Sequence, residues 1–288
     1  YQHYYFLIRQ SAYLLVAFIC GYITFLIPVY FWQRWAPYLF FIGIILLVLV
    51  LFIGLERNNA QRWLSLGIIN LQPTELVKLF TVMYASDYVL RKSKQMRTII
   101  KGFLPMLGVM IFTGTLVIFQ PDFGALVVIT LIAMGIIFLG GLTLRVIISL
   151  AILAPFGVWA AIILSPYRME RFLVFRDAWS PEHKFDGGLQ ITQAQMAFGN
   201  GEFFGVGVGN SSAKLHFLPE AHTDFLMAII GEEFGLFGVA IVIGLFAFLV
   251  VRMFGIAKES IQNNRHFAAL IAQGVAIWFA IQCIINIA

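Results

Sequence analysis

Charge is scarce in this sequence: only 11% of its 288 residues are Asp, Glu, Lys or Arg, against 61% hydrophobic. A soluble domain carries about 25% charged residues. A single water-facing globule of this size is therefore excluded, and lipid is the indicated solvent. Cysteine is scarcer still. Cys20 and Cys283 each sit inside an apolar run, which excludes a disulfide framework and any CxxC metal spacing. The five His residues are scattered, so no metal site stands out. No secretory signal peptide opens the chain. The sequence begins at Tyr1 and stops within an apolar stretch at Ile287 and Ala288, so it is read as part of a longer polypeptide.

Long apolar runs and aromatics, with 29 Phe alone, are what the chain has instead. A membrane-spanning helix needs about 20 apolar residues. Eight candidates run roughly over 11–30, 37–55, 74–90, 102–119, 123–141, 145–165, 223–251 and 266–288. The fold class expected is all-α, a polytopic transmembrane helical bundle. The 223–251 run exceeds one span and is expected to tilt or project beyond the bilayer. Arg91, Lys92, Lys94, Arg97 and Lys101 form a basic loop that reads as cytoplasmic. Alternation of spans puts Arg34, Arg145, Arg252, Lys258 and Arg265 on the same side. Only Arg9, Arg57, Arg62 and Lys78 lie near short connections on the other. The net charge of +5 is thus loop charge that orients the chain, and nucleic acid is not expected as a partner. The large loop, about 166–222, then lies on the extracytoplasmic face. Trp179, Phe185, Phe198, Phe203, Phe204 and Phe217 within it argue against disorder.

Polar residues near the outer ends of the runs are the candidates for chemistry. Asp224 follows Leu218-Pro219-Glu220-Ala221-His222-Thr223 and opens a span. A carboxylate there is costly unless paired or facing water. It is either a helix N-terminal carboxylate favoured by the helix dipole or a general base. Glu75 and Lys78, at i,i+3 after Gln72-Pro73-Thr74, can pair on one helix face. They form a packing ion pair, or Lys78 lends its charge to an anionic substrate. Arg62 and Trp63 in Gln61-Arg62-Trp63-Leu64 are either interfacial anchors or, for Arg62, a bidentate phosphate ligand. Asp122 in Gln120-Pro121-Asp122-Phe123-Gly124 is a turn former, a helix cap or a direct participant. Pro166 to Trp179 interleaves Arg168, Arg171 and Arg176 with aromatics at helical spacing. It is an amphipathic helix on the outer leaflet or a basic collar for a phosphate headgroup.

Other patterns carry less. The glycines at 199–201 and 205–209 lack the strand–turn–helix setting of a nucleotide loop and read as tight turns. Ser211-Ser212-Ala213-Lys214 matches SxxK by chance, since SDN and KTG are absent, though Lys214 keeps a useful charge. Gly231 and Gly235 form a GxxxG packing notch. Glu232 and Glu233, about two turns beyond Asp224, face function or simply neighbouring polar groups.

Taken together, QRWL at 61–64, QPTELVK at 72–78, QPDFG at 120–124, PYR at 166–168 and LPEAHTDF at 218–225 resemble the SEDS family (shape, elongation, division and sporulation), typified by FtsW and RodA. The segments 194–199 and 209–211 look more like its division branch. The resemblance implies a single SEDS-type membrane domain over 1–288, with ten spans in the whole family fold, so that one is expected beyond each end. It implies a peptidoglycan glycosyltransferase of the bacterial cytoplasmic (inner) membrane. Such an enzyme polymerises lipid II, the undecaprenyl-diphosphate-linked disaccharide-pentapeptide, at the outer face. The family's essential acid maps onto Asp224 and its Glu–Lys pair onto Glu75 and Lys78. Substrate contacts are expected from Arg62, Trp63, Glu75, Lys78, Asp122, Arg168, Arg171, Lys214, Glu220 and His222. No cofactor is required by the sequence, with a divalent cation (Mg or Mn) as the one candidate. A class B penicillin-binding protein and other division proteins are the implied partners, besides membrane lipids. Two rival classes stay open: a flippase of the lipid-linked precursor, and a non-catalytic scaffold for a transpeptidase.

Overall fold

The computed structural model describes residues 4–57, 60–65, 70–163, 166–180, 188–214 and 225–287. Every expected span is a helix: α1 (Tyr5–Leu26), α2 (Val29–Ile53), α3 (Pro73–Arg91), α4 (Leu104–Phe119), α5 (Phe123–Leu139), α6 (Leu144–Ile163), α9 (Leu226–Gln262) and α10 (His266–Ile287). Two further helices, α7 (Pro166–Arg176) and α8 (Leu189–Gly201), lie within the large loop. A π-helical turn, Ile99–Phe103, runs directly into α4. The chain is a multi-pass membrane protein.

Five helices are long and apolar enough to cross a membrane among the described residues, those of α1, α2, α4 with its π turn, α9 and α10. α5, and α6 over Leu144–Gly157, are shorter apolar helices. α3 carries Glu75, Lys78, Asp87 and Arg91. It can hold them because it runs through the protein: Lys78, Thr81, Ser86 and Asp87 are buried together with Val77, Val82 and Ala85. The core gathers around α3 and α5, with Leu47 of α2, Met106 of α4, Ile132 and Ile136 of α5, and Leu270 of α10 packed together. Gly274 makes this possible on α10. A Cβ there would meet Ile136 Cδ1 at 2.7 Å and Val82 Cγ1 at 2.8 Å, so glycine lets α10 approach both central helices without displacing those side chains. α1 stands outside this packing, with none of its apolar window buried.

Two features were not legible as spans. Between α2 and α3 lies a three-stranded antiparallel sheet, β1 (Leu55–Arg57), β2 (Ala60–Ser65) and β3 (Asn70–Leu71), in the order β1-β2-β3. The second concerns α9. Its 37 residues are not one tilted rod, because the helix breaks at Gly235, where φ is 65° and ψ is −165°. That conformation is essentially open to glycine alone. The backbone groups freed by the break are answered by the loop after α8. Leu236 and Phe237 N–H donate to the carbonyls of Glu202 and Phe203 (2.9 and 3.1 Å). The carbonyls of Glu232 and Glu233 accept from Val206 and Gly207 N–H (2.9 and 3.1 Å). Irregular backbone within a membrane protein survives where other protein satisfies it. The GxxxG notch is therefore real but takes a loop: the Phe198 ring lies over Gly231, and the backbone of Phe203 and Gly205 over Gly235.

Candidate active site

The motifs of the connections after α2 and α4 and of the start of α7 converge. β2 alternates its side chains between two faces, which puts Arg62 with buried Leu64 on one face and Trp63 on the other. From there the Arg62 guanidinium donates to the carbonyls of Gln120 (3.2 Å) and Pro121. Gln120 is itself fully buried and donates through Nε2 to the Leu47 carbonyl at 3.0 Å. Asp122 caps α5: its Oδ1 accepts from Ala125 N–H at 3.0 Å, and its Oδ2 from Gln72 Nε2 at 3.3 Å. Arg168 of α7 lies 5.6 Å from the centroid of the Phe123 ring. Four sequence motifs are thus brought to one end of the bundle, and the helix-cap role of Asp122 is observed directly.

One turn into α3, Glu75 and Lys78 form the expected ion pair at 2.7 Å, with side chains 52% and 5% exposed respectively. The Lys78 ammonium also faces α10, 3.5 Å from Gln282 Oε1 and 5.8 Å from the centroid of the Trp278 ring. Glu75 therefore faces outward, with a cation buried behind it. What it faces is a cavity of about 430 Å³ between α3, α9 and α10. Leu226, Met227, Val242 and Phe246 of α9 and Trp278 and Phe279 of α10 give it apolar walls, and Gln282 and Asn286 add polar groups.

A third cluster lies beneath the break in α9. Glu232, 1% exposed, accepts from Ser211 Oγ (2.5 Å), Ser212 N–H (3.1 Å), Ser212 Oγ (2.7 Å) and Ala213 N–H (3.2 Å). Glu233 accepts from Gly209 N–H at 3.0 Å and pairs with Lys214 at 2.5 Å. These acids face neighbouring polar groups, and the charge of Lys214 is engaged there, not with Arg62 or Lys78. The SxxK spacing places Lys214 on Glu233, in keeping with a chance match. Arg171 is exposed on α7. Glu220, His222 and Asp224 lie outside the described residues, but Leu226 and Met227, which follow them at once, line the cavity beside Glu75. Among the described residues no group of three His, Cys, Asp or Glu side chains could hold a metal ion.

Sequence reasoning did not single out Gln72, Gln120 or Gln282. The first two each precede a proline at the start of a connection motif, a repeated Gln-Pro signal that could have marked them. Gln282, a lone amide in an apolar run, carried no comparable sign.

The sequence matches the cell cycle protein family of FtsW, RodA and SpoVE over residues 1–288. Among curated relatives, a protein named probable peptidoglycan glycosyltransferase FtsW from Aromatoleum aromaticum is 48% identical over 287 residues, 99% of this chain and 70% of the relative. One of the same name from Burkholderia thailandensis is 44% identical over 288 residues, 99% of this chain and 62% of its own length. Among solved structures, a chain from a peptidoglycan synthase complex, described as coordinating polymerization and crosslinking, is similar with a TM-score of 0.78 and 25% identity. It is matched over 98% of this chain and 77% of its own. The rod shape determining protein RodA of Thermus thermophilus shares the fold, with a TM-score of 0.65 and 22% identity over 98% and 74% of the two chains.

Proposed function

The chain belongs to the FtsW, RodA and SpoVE family, and from that premise we propose that it works as a peptidoglycan glycosyltransferase polymerising lipid II at the outer face of the bacterial cytoplasmic membrane during division. The observation that carries the proposal is the cavity in which Glu75, with Lys78 buried behind it, faces the first turn of α9, which begins two residues after Asp224 in the chain. The apolar walls suit a polyprenyl chain and the polar end suits a diphosphate-linked sugar.

Asp224 takes the proton from the acceptor sugar's 4-hydroxyl. That oxygen bonds to the donor's anomeric carbon as the bond to the lipid diphosphate breaks, with inversion. Cations meet the negative charge that builds on the departing diphosphate. Arg62, Lys78, Arg168 and Arg171 are assigned that role, with Lys214 held back by Glu233. Trp63, Asp122, Glu220 and His222 complete the proposed substrate contacts. A divalent cation, Mg or Mn, would add to that charge neutralisation, and no group of described His, Cys, Asp and Glu side chains would hold it.

The sidedness is supported by the grouping of cations. Arg34, Arg91 and Arg265 line cavities at one end of the bundle, and Arg62 and Arg168 stand at the other. The excess of basic residues supports reading the first end as the cytoplasmic one. A class B penicillin-binding protein is the proposed partner, in line with the complex described for the similar structure. The test compares purified full-length protein with its Asp224→Asn variant on labelled lipid II, with the partner present. Polymer from the wild type and none from the folded variant is expected. Normal glycan strands from the variant would refute the assignment of Asp224, and precursor translocation in liposomes without polymer would favour a flippase.

A further inference from the structure

The end of the bundle opposite the candidate active site holds two adjoining cavities, of about 390 and 680 Å³, that share Tyr30 and Gln33 in their walls. α3 separates them from the Gln72–Asp122 cluster by its 19 residues, about 28 Å of helix. The smaller cavity is lined by Arg34 and Arg91, the larger by Arg265 and His266. Asp87 is the one acidic side chain on either wall, and it is engaged by Arg91 Nε at 2.6 Å. Arg34 and Arg265 have no ion-pair partner among the described residues. The first residues of α2 (Val29, Tyr30) and of α10 (His266, Phe267) also line the larger cavity, adding the positive ends of two helix dipoles to the same field.

The rim is of a different character. Phe25 is 83% exposed, Tyr30 70% and Tyr38 62%. A soluble anion needs no such rim. A phosphate that carries acyl chains does: the rings suit the zone where headgroup meets hydrocarbon, and the arginines line the same cavities. We propose that these joined cavities form a binding site for the phosphate headgroup of an anionic glycerophospholipid, drawn from the leaflet on the Arg34–Arg91–Arg265 side of the membrane. The occupant is a lipid of the surrounding bilayer, held at the face away from glycan synthesis. The identity of that leaflet as cytoplasmic rests on the sidedness proposed above, but the binding itself does not.

The test uses full-length protein in detergent, titrated with phosphatidylglycerol, phosphatidylcholine or inorganic phosphate, with bound lipid counted by native mass spectrometry. Phosphatidylglycerol is expected to bind, phosphatidylcholine and inorganic phosphate to bind far more weakly. Each of Arg34→Gln and Arg265→Gln is expected to weaken phosphatidylglycerol about fivefold, and the double variant about 30-fold. Arg97→Gln, exposed and outside both cavities, is expected to change nothing. Undiminished affinity in the single or double variants would overturn the site. Equal binding of inorganic phosphate would make it a soluble-anion site, and equal binding of phosphatidylcholine would remove the role of charge. Both single changes fall on exposed side chains, so folding is not the limiting concern. No glycan substrate is present, so failure here leaves the polymerase assignment untouched, and an inactive polymerase leaves this result standing.

Discussion

Replacing Glu232 tests how the loop after α8 is held to α9. The wild-type carboxylate takes four donors: two hydroxyls and two backbone N–H groups. In Glu232→Ala the Ser212 groups can turn to water, because Ser212 is exposed. Ser211 and Ala213 are buried and cannot. Two buried donors left without an acceptor cost about 1–3 kcal/mol each, so a loss of about 3–4 kcal/mol is expected. Glu232→Gln keeps the shape and one accepting oxygen but aims an NH₂ at a backbone N–H. The hydroxyls can rotate to accept, whereas the backbone cannot, so about 1–2 kcal/mol is expected. The ordering of wild type, Gln and Ala is read by equilibrium unfolding in mixed micelles under SDS titration. Adding Ser211→Ala to each variant should show coupling, since the two residues share one hydrogen bond. A Glu232→Ala variant within about 0.5 kcal/mol of wild type would refute the reasoning.

Three further outcomes follow from the geometry. Asp122→Ala should lose about 1 kcal/mol as a missing helix cap, while Asp122→Asn keeps the cap and most of the stability; polymerisation by the Asn variant then separates the cap from the charge. Glu75→Gln keeps an accepting oxygen beside the buried Lys78 ammonium but removes its counter-charge. Because Glu75 is half exposed, the expected cost in unfolding experiments is about 1 kcal/mol, with a larger loss in lipid II turnover. Gly235→Ala puts a methyl 2.5 Å from Gly205 N in a backbone conformation alanine resists; a loss of about 1–3 kcal/mol from strain, visible as faster proteolysis of the 201–209 loop, is the expected result.

Hydropathy placed the helices because an apolar run of about 20 residues has few other ways to be stable. The cation grouping was equally legible, since loop charge follows span alternation. The pairing of Glu75 with Lys78 was within reach because both sit on one helix face. What escaped was set by contacts distant in sequence. Strands of two to six residues between α2 and α3 are too short for a period-2 pattern to emerge. The break in α9 left no mark on hydropathy, since an apolar run reads the same with or without it. Glu232 looked ambiguous because its partners, Ser211 to Ala213, come from a loop whose path nothing local dictates.

The break at Gly235 has a consequence for how the protein is made. The 202–207 segment precedes α9 in the chain and is synthesised before it. Until that segment docks, an open backbone at Gly235 would face hydrocarbon, where each unanswered group costs several kcal/mol. The opening at Gly235 and the docking of 202–207 are therefore coupled, because the open backbone is satisfied only with the loop in its gap. A defect in the loop would then register as a helix of the wrong shape.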